Sequence, residues 1–166
     1  MATALDPVAF RDTMGAFASG VTVVMTRERS GLVVGFTASS FCSLSLDPPL
    51  LLVCLQNDAD CYDAFMQNPE FAVSILAHGQ EETARRFATK AIDKMNGTIS
   101  FDGPHTGLPL ITDASAWAEC VVQQRVEGGD HTILVAEVIS ATTNDAPPLL
   151  RFSRQFGRFE AEEPIK

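Results

Sequence analysis

The 166-residue sequence lacks most of the short motifs that identify an enzyme's chemistry. No GxGxxG run opens a helix after a strand, which argues against a Rossmann dinucleotide site, and no GxxxxGKS or GxxxxGKT run offers a phosphate loop. GxSxG and HExxH are absent as well, which removes the serine hydrolase and zinc protease readings. The four cysteines, Cys42, Cys54, Cys61 and Cys120, form no CxxC pair and sit largely among apolar neighbours. They are expected to be buried free thiols in a reducing compartment, with neither disulfide nor zinc roles, and none has the electropositive setting that a cysteine nucleophile needs. His78, His105 and His131 are too scattered to suggest a metal site, so no metal is expected. No apolar run approaches the length of a membrane span and no charged-then-apolar leader opens the sequence, which predicts a cytoplasmic protein. Basic residues are scarce, 12 against 21 acidic, for a net charge of −9. That balance argues against nucleic acid and against an anionic membrane surface, and a small anionic ligand would need local bases or helix ends.

Apolar material is present in quantity: hydrophobic residues make up 46% of the chain, enough for the core of one domain spanning residues 1–166. Asp6-Pro7 is a helix start, and Phe10, Met14 and Phe17 fall on one apolar stripe before Gly20 supplies a stop. Val21 to Thr26 reads as a strand, with Glu28 to Gly31 as a hairpin tip and Leu32 to Ala38 as the return. A short helix is expected over Cys61 to Gln67, a strand over Phe71 to Leu76, and a helix over Gln80 to Ala88. Glu81 and Glu82 open that second helix and Arg85, Arg86 and Lys90 close it, a placement that complements the helix dipole and leaves a phosphate contact as the functional alternative. Ala91 to Thr112 is punctuated by Gly and Pro and reads as a less regular segment suited to covering a cleft. Trp117 to Glu127 and His131 to Ala141 are long strands joined by Gly128-Gly129-Asp130, a strong hairpin turn. With Leu149 to Phe152 and the tail, hairpins dominate. The expectation is a mainly β fold with short helices, an antiparallel barrel and not a doubly wound sheet.

The most unusual stretch is Gly35 to Leu55. From Phe36 to Leu46 apolar residues alternate with the hydroxyls of Thr37, Ser39, Ser43 and Ser45, interrupted at Ser40 and Phe41. Fully extended, Thr37 to Ser45 would run roughly 26 Å and could track a long, flat polar ligand. The bland alternative is an amphipathic strand with its serines in water. Asp47-Pro48-Pro49 breaks the pattern, and Leu50 to Leu55 reads as a strand covered on both faces. Taken from the residues alone, the reading ends at a small antiparallel β domain with one hydroxyl-rich strand.

The chain as a whole resembles the short-chain flavin reductases, the reductase components of two-component flavin monooxygenases. Four segments carry the resemblance in order: FRDTMGAFASGVTVVMT (Phe10 to Thr26), GFTASSFCSLSLDPPLLLVCL (Gly35 to Leu55), FAVSILAHGQEETARRFA (Phe71 to Ala88) and GDHTILVAEV (Gly129 to Val138), with a closing FGRF. The resemblance implies an antiparallel Greek-key split barrel and a homodimer with flavin near the subunit interface. It also implies hydride transfer from NADH, or alternatively NADPH, to FMN or FAD, and reduced flavin supplied to a separate monooxygenase. The alternative it leaves is a flavin-binding split barrel without NADH turnover, such as a carrier or another oxidase.

Site residues follow from the same resemblance. Thr37, Ala38, Ser39 and Ser40, with the turn Ser45, Leu46 and Asp47, would lie along the flavin. Leu55, Ala59 and Cys61 would form the loop that holds the phosphate, with Phe87 and Lys90 from the following helix, and Cys54 would also contact the cofactor. Gly129 and Asp130 would fix a turn from which His131 meets the nicotinamide nucleotide, and Phe156, Gly157, Arg158 and Phe159 would complete that pocket. One departure stands out: Ala59 and Cys61 replace the hydroxyls usual in the loop, and Asp58 and Asp60 nearby should repel a phosphate. That disfavours tight FMN binding there and favours FAD, or a flavin exchanged as substrate.

Overall fold

A computed structural model describes residues 5–161. Helix α1 (Pro7–Gly15) is followed by strands β1 (Ser19–Gly20), β2 (Thr22–Arg27), β3 (Val33–Ala38), β4 (Phe41–Ser45) and β5 (Leu50–Gln56). Helix α2 (Tyr62–Gln67), strand β6 (Glu70–Ile75) and helix α3 (Glu81–Ala88) come next. The remaining strands are β7 (Ser100–Asp102), β8 (Pro109–Ile111), β9 (Ala116–Gly128), β10 (His131–Thr143), β11 (Leu149–Phe152) and β12 (Gln155–Arg158). Seven strands form one antiparallel sheet in the order β3-β2-β6-β9-β10-β5-β4, beside a β1-β11-β12 sheet and a β7-β8 hairpin. No described helix is long and apolar enough to cross a membrane.

The seven-stranded sheet is rolled up, and the chain itself forces this. Its two edge strands, β3 and β4, are joined by only Ser39 and Ser40, so opposite edges must meet at that corner. Cys54 N–H donates to Ser40 O at 3.2 Å and Ser40 Oγ donates to Cys54 O at 3.2 Å, which stitches the corner to β5. The predicted 26 Å hydroxyl strand therefore does not exist. It is broken where two serines turn the chain from one edge of the barrel to the other.

The barrel interior is filled by Val24, Val53, Leu55, Phe65, Phe71 and Leu134 among others. Phe65, delivered by α2, meets Phe36 edge to face with centroids 5.2 Å apart, and each fully buried side chain of this size contributes roughly 1.5–3 kcal/mol. A second core between β2, α3 and β11 takes Val23, Met25, Leu76, Phe87 and Leu149. Strand β2 is accordingly buried on both faces, its odd residues under α3 and Val24 in the barrel. Its buried hydroxyls are satisfied, Thr22 by Ala38 O at 3.0 Å and Thr26 by Glu70 O at 2.7 Å. The expectation that Leu50 to Leu55 is covered on both faces is corrected. Leu51, Val53 and Leu55 enter the core, while Leu50, Leu52 and Cys54 alternate onto a half-covered face.

Three further expectations change. Asp6 does cap α1 through Val8 N–H at 3.0 Å, but the helix ends at Gly15, before Gly20, and buries no residue, so the Phe10, Met14 and Phe17 stripe faces outward. The segment Ala91 to Thr112 is more ordered than its glycines and prolines suggest, because β7 and β8 pair and Leu108, Leu110 and Ile111 are buried. All four cysteines are free, but only Cys61 and Cys120 are buried, while Cys42 is exposed and Cys54 half-buried.

Candidate active site

A cleft of about 900 Å3 opens beside the barrel seam, a size suited to a small-molecule or cofactor site. Strand β3 and Ser39-Ser40 line one side. The end of β5 and His131 line another, and Phe87 with the strap from Lys90 to Lys94 a third. The local sequence explains the first wall. Gly35 lies where β3 approaches β2 closely, and a Cβ there would meet Val24 O at 2.5 Å. Thr37, one of the hydroxyls assigned to a ligand, instead donates to Ala84 O at 2.7 Å and ties α3 to β3.

The acidic loop proves to be a clasp. Asp58 accepts from Lys90 Nζ at 3.0 Å through its carboxylate and at 3.0 Å through its backbone oxygen, and Asp60 Oδ2 accepts from Ala91 N–H at 2.6 Å. The two aspartates thus hold the strap against the loop, and the expected repulsion of a phosphate is offset by the cation and donor they already face. None of the three bases offered as phosphate partners stands unengaged. Lys90 is held by Asp58, Arg86 pairs with Glu82 at 3.1 Å and with Asn96 O, and the Arg85 guanidinium lies 5.2 Å from the Phe156 ring centre.

The sequence reading missed Lys94. Its ammonium donates to Phe87 O at 3.1 Å and to Thr89 O, carbonyls left open at the end of α3, and so it caps the helix from the strap while lining the cleft. Burial lowers its pKa from the ordinary value, opposed by the Asp60 carboxylate. No periodicity marks this lysine, because its role depends on where the strap folds back. Cys61 lines the same cleft, and burial pushes its thiol up to about 11, so it presents a neutral S–H at neutral pH.

At the opposite wall β9 and β10 meet in a turn with Gly129 at φ +74. His131 Nδ1 lies 2.7 Å from Asp130 Oδ1, and 39% of the imidazole side chain is exposed. The hydrogen bond from His131, aided by its charge when protonated, holds the Asp130 carboxyl below the usual range. A carboxylate that accepts from Nδ1–H leaves Nε2 of a neutral imidazole as an acceptor for a ligand.

Of the residues assigned from the sequence, the cleft brings together Thr37, Ala38, Ser39, Ser40, Cys54, Leu55, Ala59, Cys61, Phe87, Lys90 and His131. Gly129 and Asp130 sit beside it and hold His131. Ser45, Leu46 and Asp47 do not line it: Ser45 pairs with Leu50, at the end of β5 remote from Cys54. Phe156, Gly157, Arg158 and Phe159 lie on β12 and just past it. There Phe156 joins the second core and Arg158 pairs with Glu160. These two groups are separated from the cleft within one chain because they belong to a different edge of the barrel and a different sheet. Among the described residues no cluster of His, Cys, Asp or Glu could hold a metal.

Comparison with known proteins places these features in a wider group. Residues 14–160 match the flavin reductase-like domain model. A probable flavin reductase of Rhizobium meliloti strain 1021 is 41% identical over 137 residues, 82% of this chain and 44% of that protein. The reductase component of the flavin-dependent trigonelline monooxygenase of Acinetobacter baylyi is 40% identical over 133 residues, 80% of this chain and 43% of that one. The chain thus spans less than half the length of these two relatives. The NADH:FAD oxidoreductase SgcE6 of Streptomyces globisporus C-1027, solved in complex with NAD and FAD fragments, superposes with a TM-score of 0.90 at 40% identity, covering 98% of this chain and 99% of that one.

Proposed function

The chain belongs to the flavin reductase-like domain family, and from that premise we propose that it carries a hydride from NADH to FAD or FMN and supplies reduced flavin to a partner monooxygenase. It is an NADH:flavin oxidoreductase with a split-barrel fold, acting in the cytoplasm. The observation that carries this reading is the single cleft shared by the Thr37 to Ser40 seam, the Ala59 to Cys61 loop and His131. Its walls, Phe36, Leu55 and Phe87 on one hand and the serine corner on the other, fit a flat ring system with a polar edge. The flavin, when bound, supplies the two-electron acceptor. The protein's part is to stack donor and acceptor at close approach and keep water out, which requires no acid–base triad. His131, held by Asp130 through Nδ1, offers Nε2 to the nicotinamide carboxamide. The engaged state of Arg85, Arg86 and Lys90 leaves no cluster of bases for an added 2′-phosphate and favours NADH over NADPH. Mixing the protein anaerobically with FAD or FMN and NADH is expected to bleach the oxidised flavin absorbance. Flavin binding without bleaching would favour a carrier.

The same reading makes the protein a homodimer. Phe17, just past the end of α1, is 81% exposed, and Val8, Phe10 and Met14 on that helix are exposed as well. Beside them the β11–β12 turn is tied to α1 by Ser153 N–H to Gly15 O at 2.9 Å and Arg154 to Asp12 at 2.6 Å, and brings exposed Phe152 into the same region. An apolar patch of this kind is covered in solution by another surface, and a second copy is the occupant proposed here. In that assembly Ser45 to Asp47 and Phe156 to Phe159 act as site residues at the subunit boundary. Phe17→Asp is expected to shift the protein from dimer to monomer in analytical ultracentrifugation and to weaken flavin binding about tenfold. A monomeric parent protein would overturn the assignment.

A further inference from the structure

The residue that joins the two walls of the cleft lies outside it. Strand β5 ends at Gln56, whose register partner is His131, so the β9–β10 tip projects past the last rung of the ladder. Asn57, the next residue, takes over there. Its N–H donates to Asp130 O at 2.9 Å, its Nδ2 donates to Gly129 O at 3.3 Å, and its Oδ1 accepts from Thr132 Oγ1 at 2.9 Å. Thr132 is buried, and its hydroxyl lies 3.1 Å from Tyr62 Oη at the start of α2. His131 is thereby bracketed on both sides, by Gly129 and Asp130 before it and Thr132 after it. The bracket is anchored to the same loop that presents Ala59 and Cys61 to the cleft.

A glycine turn at positive φ has more conformational freedom than any other backbone, so the tip does not fix its own direction. We propose that Asn57 is a positioning residue that fixes the His131 turn against the Ala59–Cys61 loop, so that nucleotide and flavin meet at hydride-transfer distance. The proposal rests on the function given above. It goes beyond that function in assigning the alignment of the two ligands to a side chain that touches neither. A misplacement of about 1 Å at such a contact costs up to 10²-fold in rate.

Asn57→Ala removes both side-chain bonds and keeps the backbone one. Anaerobic stopped-flow at saturating NADH is expected to show hydride transfer slowed about tenfold or more. A primary isotope effect from 4-deuterated NADH should be fully expressed, and the flavin dissociation constant should stay within about twofold of the parent. Asn57→Asp keeps the acceptor for Thr132 and loses the donor to Gly129, so it should fall between the two and remain folded if the alanine variant does not. His131→Ala is measured alongside. If it changes NADH kinetics while both Asn57 variants transfer hydride at the parent rate, the positioning role is overturned and the reading of the turn survives. If His131→Ala itself leaves NADH kinetics unchanged, that reading fails and takes this proposal with it. A lowered melting temperature with unchanged hydride transfer in the Asn57 variants would also overturn it, because that is the signature of a purely structural contact.

Discussion

Replacing His131 by alanine is expected to raise the apparent KM for NADH by up to about tenfold while flavin affinity changes by no more than about twofold, the magnitude of one lost neutral hydrogen bond of roughly 0.5–1.5 kcal/mol. The asymmetry follows from the geometry. His131 stands at the start of β10, on the wall opposite the strap and the seam, and among the described residues its imidazole is held by Asp130 at 2.7 Å. Removing the imidazole leaves the seam, Phe87 and the Ala59–Cys61 loop as they were. It deletes the group that Asp130 orients. The side chain is partly exposed and belongs to no core cluster, so the melting temperature should barely move. Steady-state kinetics with NADH varied at fixed FAD, paired with a fluorescence titration of FAD alone, separates the two effects. Equal damage to both ligands would show that the histidine supports the whole cleft.

Much of the fold that positions this site was legible in the sequence, for identifiable reasons. The Gly128-Gly129-Asp130 turn and the two long strands it joins appear where the pattern predicts them, because a glycine that accepts positive φ is a local requirement. Asp6-Pro7 starts α1 for a similarly local reason. What a period-two pattern does not carry is which neighbour covers each face. Strand β2 carries threonines among its valines and β5 is almost wholly apolar, yet α3 lies over β2, which is buried on both faces, while β5 is fully buried on one face only. The Ser39-Ser40 corner was visible only as an interruption at Ser40 and Phe41, since its meaning, that edge strands β3 and β4 are joined through two residues, depends on closure of the whole sheet.

The site divides along the same line. His131 and the serine corner stand out by residue type. Asn57, Lys94 and the Asp58–Lys90 clasp do not, because each acts through a partner at least five residues away and in most cases more than thirty. The aspartates are the sharpest case. Read as isolated charges they oppose a phosphate, whereas the fold brings Lys90 and the Ala91 N–H to them and converts a repulsion into a closure.

Glu119→Ala should destabilise the fold by about 3 kcal/mol or more without altering NADH or flavin kinetics at moderate temperature, the mirror image of the histidine variant. Glu119 is the fourth residue of β9, where a solvent-facing acid would be expected, yet it is 1% exposed. Its Oε1 accepts from His105 N–H at 3.0 Å, Thr106 N–H at 2.7 Å and Thr106 Oγ1 at 2.8 Å, so one carboxylate oxygen holds the turn between β7 and β8. Oε2 is buried and has no partner among the described residues. The turn is fitted to that carboxylate, since a Cβ at Gly103 would meet Oε1 at 2.5 Å. Truncation leaves three donors without their acceptor, which for a chain of this size corresponds to a fall in Tm of about 6–12 °C. Burial pushes the carboxyl's pKa up, but the hydrogen bonds from Thr106 and His105 together outweigh it and hold the value below the ordinary 4.5. A depressed folded value means that this stabilisation is complete above the unfolded pKa and is lost as pH falls through the folded one. The acid limb of the parent's stability curve should therefore begin near pH 4.5 and steepen below it. Glu119→Gln keeps a carbonyl for the turn but no titration, so it should lose about 1–2 kcal/mol at neutral pH and show a flatter acid limb than the parent. Thermal melts of the three proteins between neutral pH and pH 3 decide the matter: coincident melts at neutral pH, or parallel acid limbs for parent and glutamine variant, would remove Glu119 from the list of groups that hold the fold.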